Sequence, residues 1–363
     1  MIRYLSAEGW NKFKDKVVLL RLDFNTIDDW RMRAALPTVI FLVQHARAVV
    51  VLSHKGRPKG SDKKLSLKKD AALLAKLSHK KVSFINHFDF EKIGGQIEKA
   101  KKGSVFVLEN LRFLPGEQVN DHALAKKLAH LGDLYVNDAF AVSHRSNASV
   151  VALAQLLPSY AGFGLEAEIQ NLSKVMKDAK KPLVMIFGGA KIGDKLDLIR
   201  NFRDDANAFL MGGALANTLL ALRGFDVKKS LIEKDLSDSI KKLLGYPHLL
   251  LPIDFAEKNH ALLDIGPRTA DMFARCIAMA HTVVWNGPMG MAEKKGFEKG
   301  TKAIAEAIVK NSHCFSVVGG GETVTALKKL KLDKKMGFIS TGGGAMLEYL
   351  SGKKLPGIEA LQK

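Results

Sequence analysis

Residues 183–191 read Leu183-Val184-Met185-Ile186-Phe187-Gly188-Gly189-Ala190-Lys191, and this stretch decides the fold. Five apolar residues in a row, without alternation, are typical of a strand that is covered on both faces of a parallel sheet. Two glycines then end the run and allow the backbone to turn tightly. The stretch therefore predicts a strand and a turn of an α/β protein.

The same pattern recurs along the chain. Helix-period apolar residues occur between the runs, in residues 36–43 and again in 215–222. Pro37 suits the opening turn of the first of these helices, where no N–H donor is missed. The other apolar runs that we predict as strands are residues 17–20, 49–52, 105–108, 134–136, 209–211, 282–285 and 315–318.

The length of 363 residues is too great for one ordinary core, so we expect two domains. The residues that follow the predicted strands are polar or charged in the first half of the chain and glycine in the second. The change falls around residues 160–180, where the amphipathic stretch 166–177 predicts a connecting helix. The fold class that we predict is α/β, with two Rossmann-like lobes, each a mostly parallel sheet flanked by helices, joined by a hinge helix.

The formal net charge is +19, from 56 lysines and arginines against 37 aspartates and glutamates. Such a charge can attract nucleic acid, an anionic membrane or small polyanions. However, the lysines lie in short scattered groups, aromatic residues make up only 7%, and zinc-finger spacing does not occur. We interpret the charge as a solvated lysine-rich surface and do not expect a nucleic acid partner.

The lengths of the apolar runs and the number of cysteines argue against a secreted, membrane-spanning or cysteine-bound metal protein. The sequence shows no signal peptide, and no run approaches the roughly 18 to 20 residues that span a bilayer. Cys276 and Cys314 are the only cysteines, and they form no metal-binding or disulfide pattern. We therefore expect a cytoplasmic protein without a membrane partner.

Arginines and a histidine recur just beyond the strands of the first half. His54 and Arg57 follow the second predicted strand, Arg112 the third and Arg145 the fourth, while Arg31 and Arg33 follow the first by a short loop. The planar guanidinium fork matches the oxygens of carboxylates and phosphates. The alternative is that each arginine pairs with a nearby acid or lies on the surface and binds no ligand. Five at equivalent positions predict a site for a small anion.

Glycine turns recur in the second half, where backbone N–H groups and a helix N-terminus can hold phosphate. The best example runs from Ser340 through Gly342–Gly344, and another is Gly319–Gly321 followed by Glu322, a hard oxygen ligand for Mg²⁺. Neither the P-loop pattern nor G-x-G-x-x-G with a suitable acidic residue occurs. Because no nucleophile and base are paired either, the two halves together predict direct phosphoryl transfer between a small anion and a nucleotide.

These strand-end segments resemble phosphoglycerate kinase over essentially the whole chain. Residues 21–25, Arg-Leu-Asp-Phe-Asn, are similar to the family's RVDFN, and residues 108–113 to its LENLRF. In the second half, residues 284–290 are similar to VWNGPMG and residues 340–348 to STGGGASLE. Further matches, in the family's order, lie at residues 31–38, 53–60, 136–140 and 188–195.

The resemblance implies a two-lobed enzyme, usually a cytosolic monomer, that catalyses 1,3-bisphosphoglycerate + ADP ⇌ 3-phosphoglycerate + ATP with Mg²⁺, on lobe closure. Binding of phosphoglycerate is implied for Asp23, Asn25, Arg31, His54, Arg57, Arg112 and Arg145. Catalysis is implied for Arg31, Lys191, Gly343 and Gly344. The nucleotide, with its Mg²⁺ at Glu322, is implied for Gly189, Lys195, Gly212, Gly213, Asn286, Pro288, Glu293, Gly320, Gly321, Glu322 and Thr323.

The domains that we predict are residues 1–165 with the tail 347–363 for phosphoglycerate, the connecting helix 166–177, and residues 178–346 for the nucleotide. The chain departs from the family at several positions. Lys55 replaces a leucine, Asn147 a histidine and Glu322 an aspartate, and the loop between Asn25 and Arg31 is short. Leu262 stands where a glycine is expected beside the adenine, so the nucleotide preference stays open.

A second hypothesis comes from a different functional class. The charge of +19 and the altered nucleotide pocket would suit a protein of this fold that has become a binder of nucleic acid or another polyanion. Such a protein would bind independently of sequence and lose affinity steeply with salt.

Overall fold

The computed structural model describes residues 1–26, 28–191, 193–233 and 238–362. The chain divides into two compact units. The first unit comprises Met1–Ile169 and Lys354–Lys363, and the second comprises Gln170–Lys353. Our predicted domains also include Ile27, Ile192, residues 234–237 and Lys363, which lie outside the described residues.

The first unit is built on a six-stranded sheet in which all neighbouring strands are parallel. Its strands are β1 (Val17–Arg21), β2 (Ala48–Leu52), β3 (Val82–Ile85), β4 (Ser104–Leu108), β5 (Leu134–Asn137) and β6 (Ser159–Ala161). They lie in the order β3-β4-β2-β1-β5-β6. The helices are α1 (Trp30–His45), α2 (Lys68–Ser78), α3 (Phe90–Glu98), α4 (His122–Ala129), α5 (Ala152–Leu156) and α6 (Phe163–Asp178).

The second unit contains another all-parallel six-stranded sheet and a separate antiparallel hairpin. Its strands are β7 (Leu183–Phe187), β8 (Ala208–Met211), β9 (Leu249–Leu250), β10 (Phe255–Lys258), β11 (Ala261–Ile265), β12 (Thr282–Asn286), β13 (Phe315–Gly319) and β14 (Phe338–Ile339). The sheet order is β14-β13-β12-β7-β8-β9, and β10 and β11 form the hairpin. The helices are α7 (Gly193–Asn201), α8 (Gly213–Leu222), α9 (Asp238–Leu243), α10 (Pro267–Ala278), α11 (Lys299–Lys310), α12 (Gly321–Lys329) and α13 (Gly344–Leu350), and α14 (Pro356–Glu359) lies in the tail.

Burial on both faces explains why the strands read as unbroken apolar runs. All five residues of β1 are buried, and so are all five of β7. Val18 and Leu20 pack in one core cluster with Leu42 of α1, while Leu19 is buried on the opposite face of the sheet. Each of the eight predicted strands is present, and the predicted α/β class with two mostly parallel sheets is confirmed.

The first helix begins earlier than the sequence pattern predicted. We placed Pro37 in an opening turn, but α1 begins at Trp30 and Pro37 lies inside it. Pro37 is exposed, so its ring points away from the core face that carries Met32, Val39 and Leu42. The missing backbone donor thus falls on the solvated side of the helix, where the loss is smallest. As a consequence, Arg31 lies in the first turn of α1.

The order of the strands marks one crevice in each sheet. From β1 the chain moves to β2 on one side, and from the neighbouring β5 it moves to β6 on the other side. In the second sheet the chain leaves the neighbours β7 and β12 in opposite directions in the same way. In sheets of this type ligands bind outside the carboxyl ends of the strands at such a point. The ends of β1 and β5, and those of β7 and β12, are therefore the places to look for sites.

The boundary between the units falls within α6, which contains the predicted connecting stretch 166–177. We began the returning tail at residue 347, whereas residues 347–353 group with the second unit. Side-chain contacts within that unit explain this: the hydroxyls of Ser173 and Tyr349 lie 2.9 Å apart, and Asn201 Nδ2 donates to the carbonyl of Leu350 at 2.7 Å. The functions that we assign to the domains remain predictions.

A buried carboxylate holds the start of α6. Asp138 follows β5, and its Oδ1 accepts a hydrogen bond from the backbone N–H of Leu165 at 2.7 Å. Gly162 and Gly164 leave room for it, because a Cβ on either would lie within 2.8 Å of Asp138 side-chain atoms. A negative charge suits a helix N-terminus. Burial nevertheless raises the pKa of Asp138 to about 6.

We expect Asp138 to make stability fall as pH rises from about 4 to about 6. In this range the folded protein holds a proton that the unfolded chain, with an ordinary pKa of 3.8, has released. The cost of the buried charge therefore grows to about 3 kcal/mol by pH 6. Asp138→Asn keeps an acceptor for Leu165, so its free energy of unfolding should exceed that of the wild type increasingly over this range. Urea titrations at pH 4, 5, 6 and 7 measure this.

Asp133→Asn is the matched control, because Asp133 is exposed and its Oδ2 also accepts from a backbone N–H, that of Val17 at 2.7 Å. Because Asp133 is exposed, its replacement relieves no burial of charge and should not stabilise the protein. A stability difference for Asp138→Asn that is constant between pH 4 and 7 would contradict the prediction.

Candidate active site

The carboxyl ends of β1 and β2 bring four of the predicted anion-binding residues together. Asp23 lies just beyond β1, and its Oδ2 accepts a hydrogen bond from Arg31 Nη1 at 2.9 Å. Its Oδ1 accepts from the backbone N–H of Asn25 at 2.7 Å, and Asn25 Oδ1 accepts from the N–H of Gly56, two residues after His54, at 2.8 Å. His54 Nδ1 lies 3.9 Å from Asp23 Oδ1. The loops after β1 and β2 and the first turn of α1 thus form one cluster.

His54 lies at the centre of a concentration of positive charge. It is only 1% exposed, and burial is the first cause that holds the pKa of its imidazole well below the ordinary value. Charge repulsion from arginines lowers the pKa further, and these are Arg21, Arg112, Arg145 and Arg31. Four arginines from separate parts of the sequence therefore converge on this histidine.

Arg112 is a buried cation that forms no ion pair with a carboxylate among the described residues. It is 5% exposed, its Nη1 donates to the carbonyl of Gly56, and its enclosed Nε has no hydrogen-bond partner among the described residues. Burial, followed by Arg145 and Arg21, lowers its pKa to about 10. An enclosed cation that lacks a counter-ion is costly. An anionic ligand would provide the missing partner.

Two of the predicted anion-binding arginines stand apart from these hydrogen bonds. Arg57 is exposed on the loop after β2 and makes no hydrogen bond or ion pair among the described residues. Arg145 is half-buried after β5, and its Nε donates to Nε2 of the neighbouring His144 at 3.2 Å. Lys55, which departs from the family pattern, is held by Asp70 at 2.8 Å. The structure thus gathers Arg31, Arg112 and Arg145 around His54 and leaves Arg57 at the surface.

Sequence reasoning missed a buried group beneath this cluster. Arg21 is the last residue of β1 and is 1% exposed, and Glu117 and Ser149 are fully buried. Arg21 Nε donates to Ser149 Oγ at 2.8 Å, and its Nη2 lies 3.9 Å from Glu117 Oε1. The charge that interrupts the apolar run at Arg21 was the available signal. Nothing near Glu117 or Ser149 in sequence indicated that they are its partners.

The turns after β7 and β12 in the second unit lie in direct backbone contact. Gly188 N–H donates to the carbonyl of Asn286 at 3.0 Å, and Gly189 N–H donates to that of Pro288 at 2.9 Å. Gly189 and Gly287 have φ of +79° and +94°. Side chains at these turns would hold the two strand ends apart. The glycines therefore serve close packing at the crevice.

Other predicted nucleotide-binding residues surround the same strand ends. Gly212 caps α8, and Gly213, with φ +60°, begins it and donates its N–H to the carbonyl of Met289 at 2.7 Å. Thr323 is buried, and its Oγ1 accepts from Gly287 N–H at 2.9 Å. Lys195 is 6% exposed and donates Nζ to the carbonyl of Lys191 at 2.9 Å. The contacts of Gly213 and Thr323 bring the starts of α8 and α12 to the loop that follows β12.

The start of α12 fits an anion with a bound cation. Gly320 caps the helix with φ +93°, and a Cβ on the next residue, Gly321, would meet no atom within 4 Å. Glu322 is exposed in the first turn. No group of three or more metal-binding side chains occurs in the described parts of the chain. One carboxylate suits Mg²⁺, which keeps waters and binds through substrate phosphates.

The remaining predicted residues lie at the surface. Lys191 and Glu293 are exposed, and so is Gly344, the first residue of α13, while its cap Gly343 has φ +53°. The structure gives no contact that joins these residues to Glu322 or to each other within the described ranges. Their assignment to catalysis and nucleotide binding stays a prediction.

A small cleft lies beside α8 and the β10–β11 hairpin. Its lining includes Ala216, Asn217, Pro252, Phe255, Leu262 and Ile265. Leu262 is only 8% exposed, and Asn217 Nδ2 donates to its carbonyl at 3.3 Å. The lining also includes the buried carboxylate of Asp264, so apolar side chains and polar groups both face the cleft.

Two doubly wound sheets, one ending in a cluster of arginines and the other in glycine turns, define a kinase that acts on a small anion. Comparison with known proteins agrees. Residues 10–353 match the family model described as phosphoglycerate kinase, and the chain belongs to this family. No helix among the described residues is both long and apolar enough to cross a membrane.

Relatives named phosphoglycerate kinase align along nearly the whole chain. The protein from Dictyoglomus turgidum is 40% identical over 380 residues, covering 96% of each chain, and that from Thermosipho africanus is 41% identical, covering 96% of this chain and 95% of its own. Among solved structures, the phosphoglycerate kinase of Pyrococcus horikoshii gives a TM-score of 0.90 at 34% identity and covers 100% of this chain and 98% of its own. That of Coxiella burnetii gives 0.84 at 34% identity and covers 99% of each chain.

These matches confirm the predicted family, fold class and enzyme class. The chain is a phosphotransferase with phosphoglycerate kinase activity, and its substrates are a nucleotide and a small molecule. The matches do not favour the alternative of a polyanion-binding protein. The matches do not assign the reaction to particular residues.

Proposed function

We propose that the chain catalyses 1,3-bisphosphoglycerate + ADP ⇌ 3-phosphoglycerate + ATP by direct in-line transfer, with phosphoglycerate held at the cluster around His54. The observation that carries this proposal is the buried charge of Arg112, which forms no ion pair among the described residues and which an anionic ligand would compensate. Carboxylate and phosphate oxygens of one small ligand would match the arginine forks. Arg57, exposed at the rim, would close on the ligand.

Arg31 is the residue to which we assign charge neutralisation during transfer. Asp23 and the carbonyl of Asn25 hold its Nη1 at 2.9 and 3.3 Å, which fixes the guanidinium at the strand ends. Transfer of a phosphoryl group leaves little covalent chemistry to the protein and depends on such positioned charges. Lys191 and the turn at Gly343 and Gly344 would assist.

The nucleotide is proposed to bind at the second unit, with its base in the cleft beside Leu262 and its phosphates near the starts of α7, α8 and α12. Lys195 would contact phosphate, and Gly320 and Gly321 would allow its close approach. Glu322 would hold Mg²⁺, which neutralises phosphate charge when bound. Closure of the units would exclude water as a competing acceptor. The proposal includes a monomer in the cytoplasm.

Steady-state kinetics of the purified protein test the reaction and the nucleotide together. We expect turnover of ATP that depends on 3-phosphoglycerate in a coupled assay. Parallel measurements with GTP determine whether the pocket lined by Leu262 discriminates between bases. Absence of turnover that depends on 3-phosphoglycerate, with either nucleotide, would overturn the proposal.

Removal of the Glu322 carboxylate should weaken use of the magnesium nucleotide. We expect Glu322→Gln to raise KM for Mg-ATP about tenfold, equivalent to about 1.4 kcal/mol, and to shift the Mg²⁺ requirement upwards. Glu306→Gln is the control, because Glu306 is half exposed on α11 and interacts only with Lys302 at 3.8 Å within the described residues. An unchanged Mg²⁺ dependence in Glu322→Gln would rule out this role.

A further inference from the structure

Arg21 connects His54 to a rigid buried network of hydrogen bonds. Its Nη2 lies 3.2 Å from His54 Nδ1, within hydrogen-bond distance. Its Nε donates to Ser149 Oγ, and its Nη1 donates to the carbonyl of Leu22. The guanidinium therefore has few other positions open to it, and the group that faces His54 is fixed.

Glu117 and Ser149 complete this network. Glu117 accepts from Ser149 twice, from Oγ at 2.6 Å and from the backbone N–H at 3.0 Å. The phenol of Tyr135 donates to the carbonyl of Ser149 at 2.8 Å, and Asn147, a departure from the family pattern, donates to that of Glu117 at 3.3 Å. Burial raises the pKa of Glu117, and Arg21 is the first influence that opposes it. The two charges thus support one another.

The chemistry of arginine decides which nitrogen of His54 carries the proton. A guanidinium has donors only, so a ring nitrogen that faces it at hydrogen-bond distance must accept. Nδ1 is that nitrogen, and the proton of a neutral ring is then on Nε2. Asp23 Oδ1, at 3.9 Å, is too far to accept a hydrogen bond from Nδ1. Rotation of the ring by half a turn would set a C–H against Arg21 and forfeit the bond.

The surroundings oppose a second proton on this ring. Positive groups approach it from four elements: Arg21 from the end of β1, Arg31 from α1, Arg112 from beyond β4 and Arg145 from beyond β5. Two acids lie in the cluster. Asp23 pairs with Arg31, and Glu117 contacts Arg21 and Ser149. Within the described residues no hydrogen-bond partner faces Nε2 of His54. Its N–H is left for a ligand.

We propose that Arg21, held by Glu117 and Ser149, is a positioning residue that fixes His54 in the neutral Nε2–H tautomer, so that His54 offers the anion a hydrogen bond but neither charge nor proton. That the anion is phosphoglycerate rests on the function proposed above. The tautomer does not, since it follows from contacts within the first unit alone.

Nuclear magnetic resonance of the protein labelled with ¹⁵N-histidine tests the tautomer without substrate. The signals of His54 are identified by their loss in His54→Gln. We expect two-bond ¹H–¹⁵N correlations to show a protonated Nε2 and an unprotonated Nδ1 at every pH between about 5 and 8, the range in which an ordinary histidine titrates. Protonation of His54 within this range, or a proton on Nδ1, would overturn the proposal even if the enzyme is active.

Two variants test whether Arg21 fixes the tautomer of His54. Arg21→Lys keeps the positive charge, but its ammonium cannot donate to Ser149, Leu22 and His54 at once. The double variant Arg21→Met with Glu117→Met removes both buried charges together, which a fold tolerates better than the removal of one. We expect the double variant to place a proton on Nδ1 in part of the molecules. Its KM for 3-phosphoglycerate should rise about tenfold, the cost of one hydrogen bond, with KM for ATP unchanged.

Arg21→Lys should lie between the wild type and the double variant in both measurements. His54→Gln, whose amide N–H can replace Nε2–H, should raise KM for 3-phosphoglycerate less than His54→Ala does. A purely structural role for Arg21 would change stability and leave the tautomer of His54 as it is. An unchanged tautomer in the double variant contradicts the proposal. If that variant does not fold, Arg21→Gln with Glu117→Gln decides in its place, because the amide oxygen, unlike the ammonium of Arg21→Lys, can accept from Nδ1–H.

Discussion

Replacement of Arg31 by alanine is expected to lower kcat of phosphoryl transfer by about 10²- to 10³-fold, with a much smaller rise in KM for 3-phosphoglycerate. In the transition state the equatorial oxygens of the transferring group occupy positions that they hold in neither bound substrate, so a guanidinium placed there contributes to kcat more than to binding. At the binding site that we propose, the ground-state anion would keep Arg112, Arg145 and His54. Single-turnover and steady-state measurements in both directions separate the two effects.

Arg33 provides the matched control for this variant. It lies two residues further along α1, is exposed, and pairs with Asp29 at 2.7 Å one helical turn away. Arg33→Ala should therefore leave kcat and KM close to the wild type. Arg31→Lys should recover only part of the lost rate, because an ammonium lacks the planar fork. Equal changes in KM and kcat/KM for Arg31→Ala, with kcat retained, would show that Arg31 only binds substrate.

The fold could be predicted where the sequence pattern has one physical cause. Strands covered on both faces must be apolar throughout, and β1, β2, β7 and β12 were therefore visible as unbroken runs. The strands that we missed are short or lie at sheet edges. An example is β3, whose residues are mostly half-exposed or exposed, so no continuous apolar run marks it. The two-residue strands β9 and β14 carry too little sequence to be distinguished from loops.

The candidate site could be predicted as far as residue type and strand ends allow. His54 and Arg112 stand shortly after strands and Arg31 follows one by a loop, and the topology alone brings such positions to one edge. What joins them cannot be read from the sequence. Glu117 lies in the loop after β4, well beyond the end of that strand, and its pairing with Arg21 depends on how that loop packs against Ser149. Conversely, Arg57 matches the family motif but remains exposed.

Gly188→Ala is expected to destabilise the second unit by about 3 kcal/mol, with a fall in Tm on the order of 6 to 12 °C. An alanine Cβ at this position would lie 1.9 Å from the carbonyl oxygen of Pro288 and 2.8 Å from that of Gly287. Both obstacles are backbone atoms at the end of β12, so no side-chain rotation can relieve the clash. The ends of β7 and β12 must separate, which breaks the hydrogen bond from Gly189 N–H to Pro288. Thermal and urea unfolding measure the loss.

Gly321→Ala separates this packing role of glycine from a role in ligand approach. Gly321 begins α12 with ordinary φ, and a Cβ there meets no atom within 4 Å, so the alanine should leave stability unchanged or raise it by up to about 1 kcal/mol. The added methyl group would nevertheless occupy space that a phosphate needs at the helix start, and KM for ATP should therefore rise. A stable Gly188→Ala variant would show that the strand ends can move apart. An unchanged KM for ATP in Gly321→Ala would mean that the glycines at α12 serve the fold and not the nucleotide.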